Sequence, residues 1–128
     1  MERFFLQWRF PPGPPVRRER RGDAPLTLED VFFSNVCAAI RRDALLRHPF
    51  DEALIMSEDQ QFSRNVIAAG HAVVYQPESV VIHSHDYSLS DCFRRYFDSS
   101  CSLKVIFPEH GLARTAAMAA SYVPGEAS

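Results

Sequence analysis

Ser57-Glu58-Asp59-Gln60-Gln61-Phe62-Ser63-Arg64-Asn65-Val66-Ile67-Ala68-Ala69-Gly70-His71-Ala72-Val73-Val74-Tyr75 is the stretch on which the fold turns. Ser57 with Gln60 three residues on matches the capping-box pattern, in which hydroxyl and amide side chains satisfy orphan helix amides. Phe62, Val66 and Ile67 return at helical spacing, and Gly70 suits the left-handed residue that closes a helix. The apolar run at 72–75 then reads as a strand, Gln76-Pro77-Glu78 as a turn, and the apolar run at 80–83 as a second strand. The second run is apolar on both faces, which is the pattern of a buried strand. A helix feeding two buried strands predicts an α/β or α+β unit with one core.

Outward from this stretch the pattern is regular in one direction and irregular in the other. Upstream, residues 31–40 are mostly apolar and read as a strand, or a loop followed by a strand. A short helix at 43–47 is stopped by Pro49, since a residue before proline avoids the α region. The first 26 residues differ in kind: Phe4, Phe5, Leu6, Trp8 and Phe10 precede Pro11-Pro12-Gly13-Pro14-Pro15. Prolines fix φ and remove donors, so 11–15 is expected to be an extended connector. Arg17-Arg18-Glu19-Arg20-Arg21 follows, either as a solvated loop or as a phosphate-facing run. Downstream, Leu89, Phe93, Tyr96, Phe97 and Leu103 predict a helix over 88–105, broken by Pro108 and Gly111. An alanine-rich helix over 112–122 and a polar tail complete the chain. The expected organisation is therefore a connector at 1–26, the main unit at 27–107 and a terminal helix with tail at 108–128.

The 128 residues suffice for one domain. A hydrophobic fraction of 46% and a charged fraction of 23% argue against disorder. A net charge of -2 gives no chain-wide pull on nucleic acid, and no nucleic-acid partner is expected. No apolar run reaches the ~18 residues of a membrane span, and the N-terminus lacks the order of a signal peptide. Cys37, Cys92 and Cys101 are odd in number and unpatterned, which suits free thiols in a cytoplasmic setting.

Two places hold polar groups inside predicted structure. Glu58 and Asp59 lie in the first turn of the central helix, where the macrodipole favours carboxylates. Helix capping explains them, and so does a general base aimed from the helix end into a cleft. His83-Ser84-His85-Asp86 ends the second apolar run, and alternate residues of a strand share a face. His83 and His85 are thus either structural or placed to meet a metal or a phosphate. A structural zinc site is not expected, because no cysteines are paired. There is no glycine-rich phosphate loop, G-x-S-x-G or D-x-D.

In order, the stretches are Phe33-Ser34-Asn35-Val36-Cys37-Ala38-Ala39-Ile40-Arg41-Arg42, Pro49-Phe50-Asp51-Glu52 and Ser57-Glu58-Asp59. Ala69-Gly70-His71, Tyr75-Gln76-Pro77, residues 80–85, Tyr87-Ser88 and Arg94-Arg95-Tyr96 follow. Together these resemble the C-terminal half of the glycosyltransferase domain of family-two nucleotide-sugar transferases, in particular the rhamnosyltransferase-like members, over residues 27–107. The segment 3–18 is similar to the aromatic, proline-containing connector of that subgroup.

The resemblance implies half of a GT-A-type (Rossmann-like) α/β fold, a mixed sheet with flanking helices. It implies transfer of a sugar with inversion from a nucleotide-diphospho-sugar to a hydroxyl of a glycan or lipid-linked acceptor in cell-surface polysaccharide synthesis. Asp59 would be the base and Glu58 would orient the acceptor or the helix end. His83, with His85, would meet the metal or diphosphate, and Arg94 and Arg95 would add cationic stabilisation. A Mg²⁺ or Mn²⁺ would sit on the diphosphate of the intact enzyme. The family's nucleotide-binding strands and D-x-D are not found, so the chain is expected to be a fragment with little activity alone. Two alternatives stand beside this: a non-catalytic remnant that self-associates through an exposed sheet edge, and a small metal-binding protein using His83, His85 and Asp86. Peripheral contact with the inner membrane face is the most membrane association expected.

Overall fold

The computed structural model describes residues 10–83 and 85–108. The expected helix over 112–122, the aromatic residues before Phe10 and Ser84 lie outside the described residues. Elements run β1 (Val16–Glu19), α1 (Leu28–Val31), a 3-10 turn (Asn35–Cys37), α2 (Arg42–Arg47), α3 (Glu58–Ala68), β2 (Ala72–Tyr75) and α4 (Leu89–Ile106).

The three longer helices sit where the sequence predicts them. α3 ends in a Schellman arrangement: Gly70 adopts φ 85°, its N–H donates to the Ile67 carbonyl at 3.0 Å, and His71 N–H donates to Val66 at 3.1 Å. α4 opens with a complete capping box. Ser88 Oγ accepts from Asp91 N at 3.2 Å, and Ser88 N donates to Asp91 Oδ2 at 3.3 Å. α2 carries Asp43 in its first turn, bonded to Arg41 and Arg47.

Three expectations are corrected. Residues 16–19 are neither connector nor solvated loop. They pair antiparallel with β2 in the register Val16↔Tyr75, Arg17↔Val74, Arg18↔Val73, Glu19↔Ala72. The alternation places Arg17 with Glu19 on one face, joined by a 2.7 Å ion pair, while half-buried Arg18 donates to the Glu29 carbonyl at 3.4 Å. The run 31–40 contains no strand. Thr27 and Asp30 form a capping box that starts α1 earlier, and Ser34 caps the 3-10 turn through Val36 N. Residues 80–83 form no strand either, and Val80, Val81 and Ile82 are exposed. A strand exists only through a ladder, and β2's described partner is β1, upstream in sequence.

The core gathers Leu26, Leu28, Val31, Ile67, Leu103, Ile106 and Phe107, with Phe32, Leu54 and Val73 packed against it. α1, the back of α3, the last turns of α4 and one residue of β2 therefore meet in one cluster. Burying an isoleucine- or phenylalanine-sized side chain stabilises by about 1.5–3 kcal/mol. α4 contributes only its end: Leu89, Phe93, Tyr96 and Phe97, whose spacing predicts a packed face, are exposed. The core thus anchors α3 by its buried side and leaves Glu58 and Asp59 of its first turn half-buried, with Gln60 buried beside them.

Candidate functional site

The first turn of α3 holds Glu58 and Asp59, both half-buried. The expected Ser57 capping box does not form. Ser57 adopts the left-handed region (φ 64°, ψ 25°), so its hydroxyl turns away from the helix amides and shares a 3.0 Å hydrogen bond with Ser99 Oγ of α4. Beside it, Met56 N donates to the buried Ser102 Oγ at 3.3 Å. A non-glycine residue in this region costs about 1–2 kcal/mol, and the two contacts to α4 hold it there.

Asp59 takes over the cap. Its Oδ1 accepts from Gln60 N at 2.8 Å, and its Oδ2 accepts from Asn35 N at 3.3 Å. Burial pushes its carboxyl above the ordinary value of 3.8, and the neighbouring Glu58 charge pushes the same way against the two amide bonds. A carboxylate made more basic by burial is a better proton acceptor near neutral pH.

Gln60, read in the sequence as a capping residue, bonds elsewhere. Its buried amide pairs with the backbone of Phe33: Phe33 N donates to Oε1 at 3.3 Å, and Nε2 donates to the Phe33 carbonyl. Phe33, Ser34, Val36 and Cys37 line an open cavity of about 650 Å³. Val73, Tyr75 and Val80 lie on the facing side, and His83 reaches the same space. Phe10 packs on Phe32 and Tyr75, with ring centroids 5.5 and 5.6 Å away.

His83 and His85 are brought together, edge to face at 4.3 Å. His85 stacks on Tyr87 at 4.5 Å, and the Arg95 guanidinium lies 4.7 Å from the Tyr87 ring centre. Arg94 is exposed on α4. Asp59 bonds to backbone amides and His83 packs on this ladder of rings, so the two are separate groups of contacts: His83 lines the cavity, and Asp59 lies behind the segment that walls it. The ladder does not fit Mg²⁺ or Mn²⁺ by itself. These hard cations take mostly oxygen ligands, and among the described residues no three His, Cys, Asp or Glu side chains converge. The described cysteines are free thiols, with Cys37 Sγ 3.6 Å from Ser79 Oγ at the cavity wall.

The chain is similar to curated glycosyltransferases that transfer rhamnose. The O-antigen chain rhamnosyltransferase RfbN of Salmonella typhimurium (strain LT2) is 41% identical over 75 residues, and WbaN of Salmonella anatum, of the same description, is 39% identical over 75. Each match covers 58% of this chain and 24% of the relative, so the chain spans about a quarter of the length of the relatives it matches. A stretch of that length in 128 residues necessarily includes residues 55–74, and with them α3's first turn. No protein-family profile and no solved structure matches the chain. Among the described residues, no helix is long and apolar enough to cross a membrane.

Sequence reasoning singled out Asp59, Glu58 and the histidines but missed Gln60, Asn35, Tyr87 and the serines of α4. Asn35 acts through its backbone amide, which no side-chain pattern reveals. Tyr87 lies two residues from His85 and stands with Ser88 among the stretches of the resemblance, which give it no role.

Proposed function

We propose that this chain carries the acceptor-side, general-base portion of an inverting glycosyltransferase domain with a GT-A-type α/β fold. The observation that carries the reading is the half-buried Asp59 carboxylate, made more basic than usual and set beside the wall of an open cavity, within a stretch similar to rhamnosyltransferases. The names of those relatives suggest rhamnose as the transferred sugar and an O-antigen chain as acceptor, and the family resemblance adds a nucleotide-diphospho-sugar as donor.

In this reading the acceptor hydroxyl enters the cavity, residues 33–37 give way before it, and Asp59 behind them takes its proton. The hydroxyl oxygen forms a bond to the anomeric carbon as the bond from that carbon to the diphosphate oxygen breaks. The diphosphate departs with the electron pair from the opposite face, which inverts the centre. Glu58, next along the helix, keeps negative charge at the helix end and sustains the basicity of Asp59. His83 at the cavity, with the Arg95 and Tyr87 ladder behind His85, offers donors and positive charge toward a leaving phosphate. Arg94 adds charge at the α4 surface. No step is routed through a divalent cation, because the described side chains do not assemble a site for one.

The test grafts the matching stretch of this chain into the Salmonella RfbN enzyme and assays rhamnose transfer to its glycan acceptor. The graft is expected to support transfer, and the same graft with Asp59→Asn to lose about 10²-fold or more of its turnover, the usual worth of a general base. Undiminished turnover in the Asp59→Asn graft would refute the assignment.

A further inference from the structure

Gln60 is a buried polar side chain in the first turn of α3, and both ends of its amide meet one residue, Phe33, while the amide also bears on Asp59. A primary amide that accepts from Phe33 N and donates to the Phe33 carbonyl imitates a strand neighbour. It satisfies both polar groups of a backbone unit that has no ladder of its own. Two residues further along the same segment, Asn35 N reaches Asp59 Oδ2 at 3.3 Å. Phe33, Ser34, Val36 and Cys37, on either side of that contact, face the cavity.

We propose that Gln60 is the positioning residue of this site: it latches residues 33–37 to α3, so that one short segment both walls the cavity and covers the Asp59 carboxylate. The inference rests on Asp59 being the base only for its catalytic meaning, since the latch itself is a matter of contacts. A buried amide is costly unless paired, so releasing the segment leaves both Gln60 and Phe33 unsatisfied until water reaches them. The segment is therefore held in place or swung away rather than loosened gradually. When it swings away, Asp59 gains solvent and loses the Asn35 amide together. The basicity of the carboxylate thereby becomes coupled to the state of the cavity wall, and a ligand that displaces the wall changes the group that would receive its proton. Glu58 and Gln60 also bear on Asp59: the Glu58 charge and the Gln60 backbone amide do not depend on the latch, whereas the Gln60 side chain, which favours the ionised carboxylate, is part of it.

The experiment uses the chain itself with NMR. In the unsubstituted chain the Phe33 and Asn35 amides, which lie outside every strand and α-helix, are expected to be protected from hydrogen exchange, and the Asn35 amide shift to follow the Asp59 carboxyl carbon through its titration. Gln60→Met keeps the side-chain volume and removes both hydrogen bonds to Phe33, together with the side chain's own bond to Asp59, whose loss by itself would raise the Asp59 midpoint. It is expected to abolish the protection at Phe33 and Asn35, to uncouple Asn35 from Asp59, and to lower the Asp59 midpoint toward the ordinary carboxylate range as burial is lost. A Gln60→Met chain whose Asp59 titrates as before, with Asn35 still following it, would show that Gln60 only packs. Free exchange at Phe33 in the unsubstituted chain overturns the latch without any variant. Neither readout needs transfer activity, so failure of the latch and failure of the base assignment are seen separately.

Discussion

Asp43 and Asp59 occupy the same position, the second residue of a helix, and the structure treats them in opposite ways. Asp43 is exposed, and the Arg41 guanidinium bonded to it, with Arg47 nearby, holds its carboxyl below the ordinary value. Asp59 is half-buried and faces backbone amides and Glu58, so burial wins and its carboxyl rises. Helix capping alone would treat both alike; the difference comes from what each side chain touches beyond the helix. A measurable consequence follows from the sign. A carboxyl that is harder to ionise in the folded chain contributes stability below its ordinary value of 3.8, and that contribution is lost as pH rises through its folded midpoint. Urea midpoints of the unsubstituted chain and of Asp59→Asn, measured in steps from pH 3 to pH 7, should therefore move against the unsubstituted chain as pH rises. A difference that stays flat across that range would mean that burial does not shift the Asp59 carboxyl.

At the scale of elements, local chemistry decides what holds. Ser88 and Asp91 satisfy each other's backbone reciprocally with no help from the rest of the molecule. Ser88→Ala is therefore expected to cost about 0.5–2 kcal/mol in chemical denaturation, with Ser88→Thr close to neutral. A Ser88→Ala chain of unchanged stability would show that α4 frays at this end. The same locality explains what could be read from the sequence. α2, α3 and α4 announce themselves through spacing, Pro49, Gly70 and Ser88, signals a few residues long. Asp59 was legible because a carboxylate in a first turn is a local fact. β1 was not legible, because Val16–Glu19 becomes a strand only through Val73 and its neighbours some 55 residues away. Ser57 misled for the same reason: its partner is Ser99, 42 residues on, and that contact turns the backbone out of the capping conformation. The run at 80–83 looked like a strand because apolar content does not specify a partner. The pattern places Gln60 as a cap of its own helix, whereas its bonds to Phe33 reach 27 residues upstream.

For the molecule as a whole, the division between buried and exposed isoleucines is the sharpest claim the fold makes. Ile67 lies at the centre of the cluster that joins α1, α3 and the end of α4, with no accessible surface. Ile82 is as apolar, lies in a run that the sequence reads as a buried strand, and is fully exposed. Its neighbours Val80 and Val81 line the cavity that Asp59 borders through residues 33–37, so the placement of this run also sets how open that cavity is. Truncating each isoleucine to alanine separates the two environments. Ile67→Ala should cost about 2–5 kcal/mol, the loss of transfer free energy plus the cavity left behind. Ile82→Ala should change stability by no more than about 0.5 kcal/mol, as surface substitutions do. Urea denaturation of both variants at two protein concentrations checks this directly. If Ile82→Ala proves as costly as Ile67→Ala at both concentrations, residues 80–83 pack within the chain as the sequence pattern predicts, and the cavity is narrower in solution. If the cost appears only at the higher concentration, a second copy covers the run, and its apolar pattern reflects association between chains.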